Sequence, residues 1–536
     1  MKYLIILLFY PFFSWSQVGI NFKLWVEFND KGNVNDQSYT AKDLLSERAI
    51  ARREKQHIPL HFTDLPIQTE YVESLNKLGF LILNKSKWFN GVIVLCPDTQ
   101  LIDTLTQLSF VKHVDTLGYD LTRQTSRMDS KLNDIVFEND YGNARNQIEM
   151  IGGLSLHEQG YQGQDIHIAV LDAGFGNAHE IYGLNHLFAS QRILGTWNYV
   201  DNGPSVFGSS SHGMLVLSTM GGFLKNEFIG TAPQASYWLF KTEDPNSETR
   251  LEEYNWAIAA EFADSAGVDI INSSLSYSTF DVESQNYTYH DLDGKTSLIS
   301  RAAVLAARKG MIVCSSAGNY GNDNWKYIGA PADADSILTV GSVDENRTTS
   351  SFSSFGPTAD DRIKPTVSAQ GTNAAILTSS NSVGYSNGTS FSSPIIAGMT
   401  ACLWQAHYDK TNIEIINAIT QSAHLYQTPD NQMGYGIPNF SLANALLLDI
   451  DDINTPSIDI FPNPTYSQAI VSIYSGNESD LSYRLVDLRG NVVLSGDIEW
   501  LYSNVSLKIP QLESGIYLLE VKTQRGTMTE RLSILH

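Results

Sequence analysis

The chain has 536 residues, of which 42% are hydrophobic, and a formal net charge of −23 at pH 7. This length provides about three domains with ample core material, and the acidic balance argues against nucleic acid as a partner, because nucleic-acid-binding domains present a basic surface. The three cysteines lie in apolar runs, which predicts buried free thiols rather than a disulfide framework or a Cys/His metal site; they are Cys96, Cys314 and Cys402.

The first residues are predicted to be a signal peptide, residues 1–16. Lys2 precedes the apolar run YLIILLFYPFF, which is too short to cross a bilayer. Small residues at Ser14 and Ser16 indicate cleavage before Gln17. No later apolar run is long enough for a transmembrane helix, so the mature protein is expected to be exported through the periplasm without a membrane span.

Residues 17–122 are predicted to form a small α+β domain. FKLWVEF (22–28) alternates as a strand, and AKDLLSERAIARREKQ (41–56) is a charged helical stretch. A second helix ends at Gly79, and then a strand–turn–strand, LILNKSKWFNGVIVLC, and a third helix follow. The polar segment 123–146 is predicted to be an exposed linker and maturation region.

The next part of the chain, residues 147–448, places four polar residues at the ends of predicted elements. The run IHIAVL predicts a buried strand that ends at Asp172, and GMIVCSS predicts another, after which a turn carries Asn319. His212 opens a helical stretch, and Ser390 stands where a polar turn gives way to an apolar helix. Open α/β sheets form their sites at the carboxyl ends of strands, and helix N-termini favour developing negative charge.

These four residues are the parts that acyl transfer needs. A serine hydroxyl needs an adjacent imidazole to take its proton, the imidazole needs a carboxylate to fix its tautomer, and the oxyanion needs hydrogen-bond donors. Each motif alone is more often an ordinary strand end, loop or turn. All four in one order, each in a fitting local context, indicate an enzyme.

The order Asp…His…Ser in VLDAGFG, SSHGM and NGTSFSSP, with SSAGN between the last two, resembles the subtilase family of serine endopeptidases. The resemblance implies an α/β fold, a mostly parallel sheet with helices on both faces. It also implies that Ser390 is the nucleophile and His212 the general base, oriented by Asp172. The side-chain amide of Asn319 and the Ser390 N–H would form the oxyanion hole. Acid-active sedolisins carry Asp where this chain has Asn319, so activity near neutral pH is expected.

The resemblance extends to substrate binding. INSSLS (271–276) is similar to the edge strand along which the family pairs its peptide substrate, and GAPADADSILTVGSVD (329–344) to the stretch that closes the pocket for the residue before the scissile bond. The implied substrate-binding residues are Ser274, Leu275, Ser276 and Gly329. Polypeptides are the expected substrates, and the sequence leaves the cleavage preference open.

The α+β region 17–122 resembles the inhibitory propeptide of subtilases, which implies that the chain carries its own intramolecular inhibitor. A permanent binding domain is the alternative. Residues 458–536, reached through the acidic linker 449–457, show the short alternating runs of a small β-sandwich. The motifs PNP and LESGIYLLEV resemble the C-terminal sorting domain of bacterial type IX secretion. That resemblance implies a Bacteroidetes-like source and recognition by secretion machinery; a carbohydrate-binding module is the alternative.

No cofactor and no metal site is predicted. Subtilases often bind structural Ca²⁺ in loops, but the stretch 221–230 offers only Asn226 and Glu227, whereas Ca²⁺ takes roughly six to eight oxygen ligands. The acidic loop 281–294 remains open as a place for a structural ion. Two functions stay under consideration: an active secreted endopeptidase, and an inactive subtilase fold that acts as a surface-binding protein.

Overall fold

The computed structural model describes most of the chain in two compact units. The described residues are 21–34, 39–96, 100–120, 141–208, 210–448, 457–461, 468–474, 481–498, 504–508, 512–523 and 526–534. The predicted signal peptide, most of the predicted maturation region and most of the linker 449–457 lie outside them. One unit comprises residues 1–34 and 66–125, and the other comprises 35–65 and 126–536.

The described part of the chain contains helices and strands in the following order. The helices are α1 (Ala41–Leu44), α2 (Glu47–Lys55), α3 (Thr69–Lys77), α4 (Gln100–Thr106), α5 (Arg145–Glu149), α6 (Leu154–Glu158), α7 (Asn185–Ala189), α8 (His212–Gly221), α9 (Arg250–Ala266), α10 (Leu298–Arg308), α11 (Thr389–Ala406), α12 (Asn412–Gln421) and α13 (Phe440–Leu447). The strands are β1 (Asn21–Phe28), β2 (Leu81–Ser86), β3 (Gly91–Cys96), β4 (Val111–Asp120), β5 (His167–Asp172), β6 (Ile193–Asn198), β7 (Phe223–Leu224), β8 (Phe228–Ile229), β9 (Ser236–Lys241), β10 (Ile270–Ser273), β11 (Ile312–Ser316), β12 (Leu338–Val343), β13 (Val367–Gln370), β14 (Ala374–Leu377), β15 (Val383–Ser386), β16 (Ser457–Phe461), β17 (Gln468–Tyr474), β18 (Leu481–Asp487), β19 (Val492–Ile498), β20 (Asn504–Lys508), β21 (Gly515–Thr523) and β22 (Gly526–Ile534). Short 3₁₀ helices occur at Phe62–Asp64, Ala178–Glu180, Tyr182–Leu184, Glu283–Gln285 and Tyr289–Asp291.

The first unit is an antiparallel sheet with two helices. Its strand order is β2-β3-β1-β4, and α3 and α4 pack on β2 and β4. The predicted alternation of β1 places Leu24, Val26 and Phe28 in its core. Gly79 lies in the left-handed region with φ +94° and follows α3, as predicted for a helix stop.

The second unit is built around a seven-stranded parallel sheet, which confirms the predicted α/β class. Its strand order is β13-β12-β11-β10-β5-β9-β6, and every pairing is parallel. Helices α8 and α11 contact each other and this sheet, and α9 and α10 form a second contacting pair against it. After β5, the chain adds β6 and β9 on one side of β5 and then β10 to β13, in sequence, on the other side. The direction in which strands are added therefore reverses between β5 and β10. Ligand sites in open α/β sheets form at such a reversal.

Residues 39–65 belong to this second unit, although the sequence places them inside the small N-terminal domain. The predicted continuous helix 41–56 is also two helices, α1 and α2. Leu45 between them is buried and extended, with φ −133° and ψ 147°, and Ser46 caps α2 by accepting a hydrogen bond from the Ala49 N–H at 3.1 Å. Burying Leu45 therefore breaks the helix that the charge pattern predicts.

The C-terminal strands form two antiparallel sheets, as expected for a small β-sandwich. Their orders are β16-β17-β20 and β19-β18-β21-β22. The four-stranded sheet has its own apolar cluster, which includes Leu519, Val521 and Leu532. All three cysteines are buried free thiols, as predicted. Among the described residues, no helix combines the length and apolarity that crossing a membrane requires.

Candidate active site

Buried Asp172 and partly exposed His212 form a hydrogen-bonded pair at the carboxyl edge of the sheet. Asp172 is the last residue of β5, and its Oδ1 lies 2.7 Å from Nδ1 of His212, the first residue of α8. The N–H of Ala173 donates to the same oxygen at 2.7 Å. Gly213 permits this approach, since a Cβ there would lie 2.9 Å from the Cβ of Asp172.

The electrostatics of the pair favour the charged imidazole. The negative charge of Asp172 raises the pKa of His212, against the opposing effect of burial. Because the Nδ1–H of His212 donates to Asp172, the neutral ring carries its free lone pair on Nε2. The site therefore holds an imidazole in the tautomer that can accept a proton at Nε2.

Ser390 lies in the first turn of α11, as the sequence predicts. Its hydroxyl donates to the backbone carbonyl of Ser274 at 3.4 Å, and the hydroxyl of Ser274 donates to the Ser390 carbonyl at 2.9 Å. The ring of Phe391, the next residue, has its centroid 6.2 Å from that of His212. The structure thus brings the serine to the same edge of the sheet as the Asp172–His212 pair, with its hydroxyl directed to Ser274.

Asn319 follows β11 and is held by its carbonyl end. Its Oδ1 accepts from the N–H of Thr389 at 2.9 Å and from the Thr389 hydroxyl at 3.0 Å. The opposite end of the amide, Nδ2, therefore points away from Thr389. A Cβ built on Gly388 would lie 3.6 Å from Nδ2 of Asn319 and 3.7 Å from the N of Ser390. Both donors border the same open space above Gly388.

The predicted substrate-binding residues lie beside this space. Ser274, Leu275 and Ser276 directly follow β10. Gly329 abuts them, because a Cβ there would lie 2.3 Å from Oγ of Ser276. The structure therefore brings all of the predicted site residues to one edge of the sheet.

The expectation of an edge strand at 271–276 is wrong for its first half. Ile271–Ser273 pair with β5 on one side and with β11 on the other, so β10 is an internal strand. The backbone hydrogen-bonding groups of these residues are already used by the two neighbouring strands, and only the residues after Ser273 lie beyond the pairing. An isolated strand-like run in a sequence does not reveal how many neighbours the strand has.

Sequence reasoning missed a set of polar residues beneath the site. Buried Asn272 donates to the hydroxyl of Ser274 at 3.1 Å and accepts from the hydroxyl of Ser393 at 2.9 Å. Ser393 lies one helical turn after Ser390, so this network ties β10 to the first turn of α11. The serine-rich runs NSS and TSFSS were the available signal, but such runs are equally typical of polar turns.

Three carboxylates also converge near this edge, beyond the end of β9. One oxygen each of Glu243, Glu248 and Glu252 lies within 4.8 Å of the others, and Tyr277 donates to Glu243. Burial, together with the neighbouring charges of Asp281 and Glu253, raises the pKa of Glu248 to about 7. Burial also raises the pKa of Glu243 and of Glu252. These residues lie outside the two segments considered for Ca²⁺ from the sequence.

Models of three protein families match consecutive parts of the chain. The model of the subtilase family matches residues 163–436, and that of the peptidase S8 propeptide domain of Bacteroidota matches residues 23–132. The model of the secretion system C-terminal sorting domain matches residues 459–535. The first match covers the residues that form the site.

Several subtilisins are similar to about half of the chain. Subtilisin NAT from Bacillus subtilis subsp. natto and subtilisin E from Bacillus subtilis are both 31% identical over 280 residues, which is 52% of this chain and 65% of each relative. Subtilisin from Bacillus pumilus is 30% identical over 300 residues, which is 55% of this chain and 97% of that relative. The chain therefore spans slightly less than two thirds of the length of the first two relatives.

The Glu248→Gln variant is expected to lose less stability with rising pH than the unchanged protein. Because the folded protein raises the pKa of Glu248 from 4.5 to about 7, it binds this proton more tightly than the unfolded chain does. The resulting stabilisation is complete below pH 4.5 and is lost as the pH rises to about 7. Thermal unfolding in EDTA across this range measures the effect.

Glutamine does not ionise, so the unfolding temperature of the variant should rise relative to that of the unchanged chain as the pH increases from 4.5 to about 7. Glu283→Gln, at an exposed position, is the matched control and should run parallel to the unchanged chain. A Glu248→Gln variant that loses relative stability over this interval would show that Glu248 is ionised in the folded protein.

Proposed function

The chain belongs to the subtilase family, and from this premise we propose that it is a secreted serine endopeptidase that cleaves peptide bonds through an acyl-enzyme intermediate. The observation that carries the proposal is the 2.7 Å hydrogen bond of Asp172 to His212 beside the Ser390 turn of α11. A buried carboxylate that fixes an imidazole next to a serine is the arrangement that activates a serine nucleophile.

In the first step, the hydroxyl oxygen of Ser390 attacks the carbonyl carbon of the scissile peptide. Rotation about the Cα–Cβ bond of Ser390 turns the hydroxyl from the Ser274 carbonyl towards Nε2 of His212, which takes the proton. His212 then gives that proton to the leaving amine as the C–N bond breaks. Asp172 stabilises the imidazolium that exists between the two transfers.

In the second step, water replaces the amine and the same groups act in reverse. His212 takes a proton from the water, whose oxygen attacks the acyl carbon, and the ester bond to Ser390 breaks as its oxygen regains a proton. In both steps the oxyanion accepts hydrogen bonds from the Ser390 N–H and from Nδ2 of Asn319. Thr389 holds the Asn319 amide in this orientation before substrate arrives, which is how such donors lower a barrier.

Substrate binding is assigned to the strand extension after β10 and to the pocket beside it. The backbone of Ser274–Ser276 lies beyond the last pairing of β10 and is placed to bond an extended peptide. Gly318 and Gly329 both face the hydroxyl of Ser276. A Cβ on Gly318 would lie 2.7 Å from Oγ of Ser276, and a Cβ on Gly329 would lie 2.3 Å from it. Glycine is needed at both positions because a Cβ would collide with this hydroxyl, and we assign Gly329 to the pocket that receives the side chain before the scissile bond.

The flanking domains define when and where the peptidase acts. The sorting domain directs the protein through a secretion system to the cell surface or beyond. We assign the antiparallel sheet of the first unit, which lies within the propeptide match, the role of the intramolecular inhibitor. We propose that both flanking domains are removed by proteolysis as the enzyme matures.

Labelling with a fluorophosphonate probe tests the proposal. Because the probe reacts only with an activated serine, mature protein should be labelled, and Ser390→Ala and His212→Ala should not. Ser379→Ala, at an exposed position, is the control and should keep its label. Added propeptide should slow labelling. A folded, mature protein that takes up no probe would instead support a surface-binding protein with a subtilase fold.

The pH profile of kcat/KM should show one ionisation on its acidic limb, with a midpoint above the pKa of an ordinary histidine. The charge of Asp172 raises the pKa of His212, and protonated His212 cannot act as base, so activity is lost as the pH falls through that midpoint. Asp172→Asn removes the charge and should lower both the midpoint of the pH profile and kcat. The expected loss in kcat is about 10⁴-fold, which is the effect of the corresponding substitution in a serine protease of an unrelated fold. An unchanged midpoint in Asp172→Asn would assign the ionisation to another group.

Asn319→Ala should lower kcat and leave KM nearly unchanged, because Nδ2 acts on the oxyanion and not on the bound peptide. The expected loss is about 10²–10³-fold, which is the loss measured in subtilisin itself for this donor and is carried over from the family. Asn322→Ala, the same substitution at a nearby exposed position, is the control and should keep its kcat. A large rise in KM with normal kcat in Asn319→Ala would make Asn319 a substrate-binding residue.

A further inference from the structure

The segment 41–65 lies within the propeptide match but forms one compact unit with the catalytic domain. We call this segment, which contains α1, α2 and the 3₁₀ helix Phe62–Asp64, the clamp. Residues 23–34 and 66–125 of the propeptide match, which include β1 and α3, belong to the first unit. The propeptide is therefore two structural parts interleaved in sequence.

A buried cluster of charges joins the clamp to the catalytic domain. Arg53 of α2 donates to both carboxylate oxygens of Asp64 at 2.8 and 3.0 Å, and Lys309 of the catalytic domain donates to Asp64 at 2.7 Å. Arg52 and Arg53 also both pair with Asp264 at the end of α9. None of these side chains is more than 5% exposed.

The cluster has three cations and two carboxylates, and each side of the contact contributes both signs. Burial alone would raise the pKa of Asp64, but hydrogen bonds and charges from Arg53 and Lys309 lower it well below the usual range. Asp64 therefore stays ionised at any pH near neutral. Bidentate pairs of this kind combine strength with strict geometry, and buried pairs are little screened by salt.

The clamp also satisfies the exposed ends of two helices. Arg48 donates to the carbonyl of Gly267 at 2.9 Å and Arg52 to that of Asp264 at 3.2 Å, both at the C-terminal end of α9. Gln56 donates to the carbonyl of Gly310, just past α10, at 2.8 Å. Helix C-termini have unpaired carbonyls and a partial negative charge, so cationic donors are favoured there.

This contact lies at the edge of the sheet opposite the active site. Asp269, the partner of Arg48, precedes β10 and accepts from the N–H of His167, the first residue of β5. Asp172 is the last residue of the same strand, about 16–17 Å away at the rise of an extended chain. The clamp therefore neither contacts nor blocks the catalytic residues, and peptide hydrolysis does not require its release.

We propose that the clamp stays on the catalytic domain when the remainder of the propeptide is removed, so that the mature enzyme consists of two non-covalently associated chains. This inference rests on the proposed maturation, in which an endopeptidase hydrolyses three peptide bonds, one on each side of the clamp and one ahead of the catalytic domain, with one water consumed at each cut. The surface that the clamp occupies, formed by the C-terminal ends of α9 and α10, is then a permanent interface of the mature enzyme and not a part of the inhibitory contact.

Mass analysis of the secreted native enzyme tests the inference directly. Under native conditions the mass should include a peptide that contains residues 48–64 in equal amount to the catalytic chain, and under denaturing conditions the peptide should separate. A mature enzyme without such a peptide, fully active, would overturn the inference. A bound fragment that also contains β1–β4 would overturn it too, because the whole propeptide would then be retained.

A second measurement does not depend on the peptidase activity of the chain. Purified Ser390→Ala precursor is treated briefly with trypsin and passed over a gel-filtration column. The clamp should elute with the catalytic domain and be uncut after Arg52 and Arg53, because the guanidinium groups that trypsin must bind there are buried. Cutting after Arg52 or Arg53, or separate elution of the clamp, would contradict the proposal whether or not the chain is a peptidase.

A substitution on the catalytic-domain side of the cluster tests whether the ion pairs hold the clamp in place. Asp264→Asn removes the carboxylate shared by Arg52 and Arg53 without changing any trypsin site, so the clamp should be lost from the catalytic domain or cut within it. Asp335→Asn, at an exposed position, is the matched control and should retain an intact clamp. Equal retention in the two variants would show that the ion cluster does not hold the clamp.

Discussion

Parallel pairing of all seven strands is the constraint on which the site depends. It sends every strand's carboxyl end to one edge of the sheet, and the order reverses between β5 and β10. Asp172 ends one of these neighbouring strands and Ser274 follows the other. Helices α8 and α11, which begin with His212 and with Thr389, start at the same edge and pack against each other. Residues far apart in sequence meet because of that geometry.

The precision of the site comes from buried polar contacts beneath it. Asn272 bonds both Ser274 and Ser393, and Thr389 holds Asn319, so two strands and one helix are tied together around Ser390. In the low dielectric of the interior such bonds are strong when every member is satisfied. They fix the first turn of α11 and the donors around it before any substrate is present.

The two edges of the sheet hold different sets of ionisable groups. At the carboxyl edge, buried carboxylates accumulate beside the site; at the other edge, cations from the clamp bind carboxylates and helix C-termini. Five of the chain's 35 lysines and arginines lie within residues 41–56, in a protein whose formal net charge is −23. This concentration gives a cationic segment an acidic domain to bind.

The sequence by itself determined the class of fold, the order of the domains and the chemical groups of the site, because these follow from local patterns. The apolar runs predicted β5 and β11, and the motifs around Asp172, His212, Asn319 and Ser390 carried the family resemblance without any long-range information. Only the tertiary structure decided which strands are internal, as for β10, because pairing partners leave no mark on a short apolar run. It alone also decided that residues 41–65 join the catalytic domain. Charges at Arg52 and Arg53 indicate a solvated helix face in a sequence, and they become a buried anchor only where Asp64, Asp264 and Lys309 are brought around them by the fold.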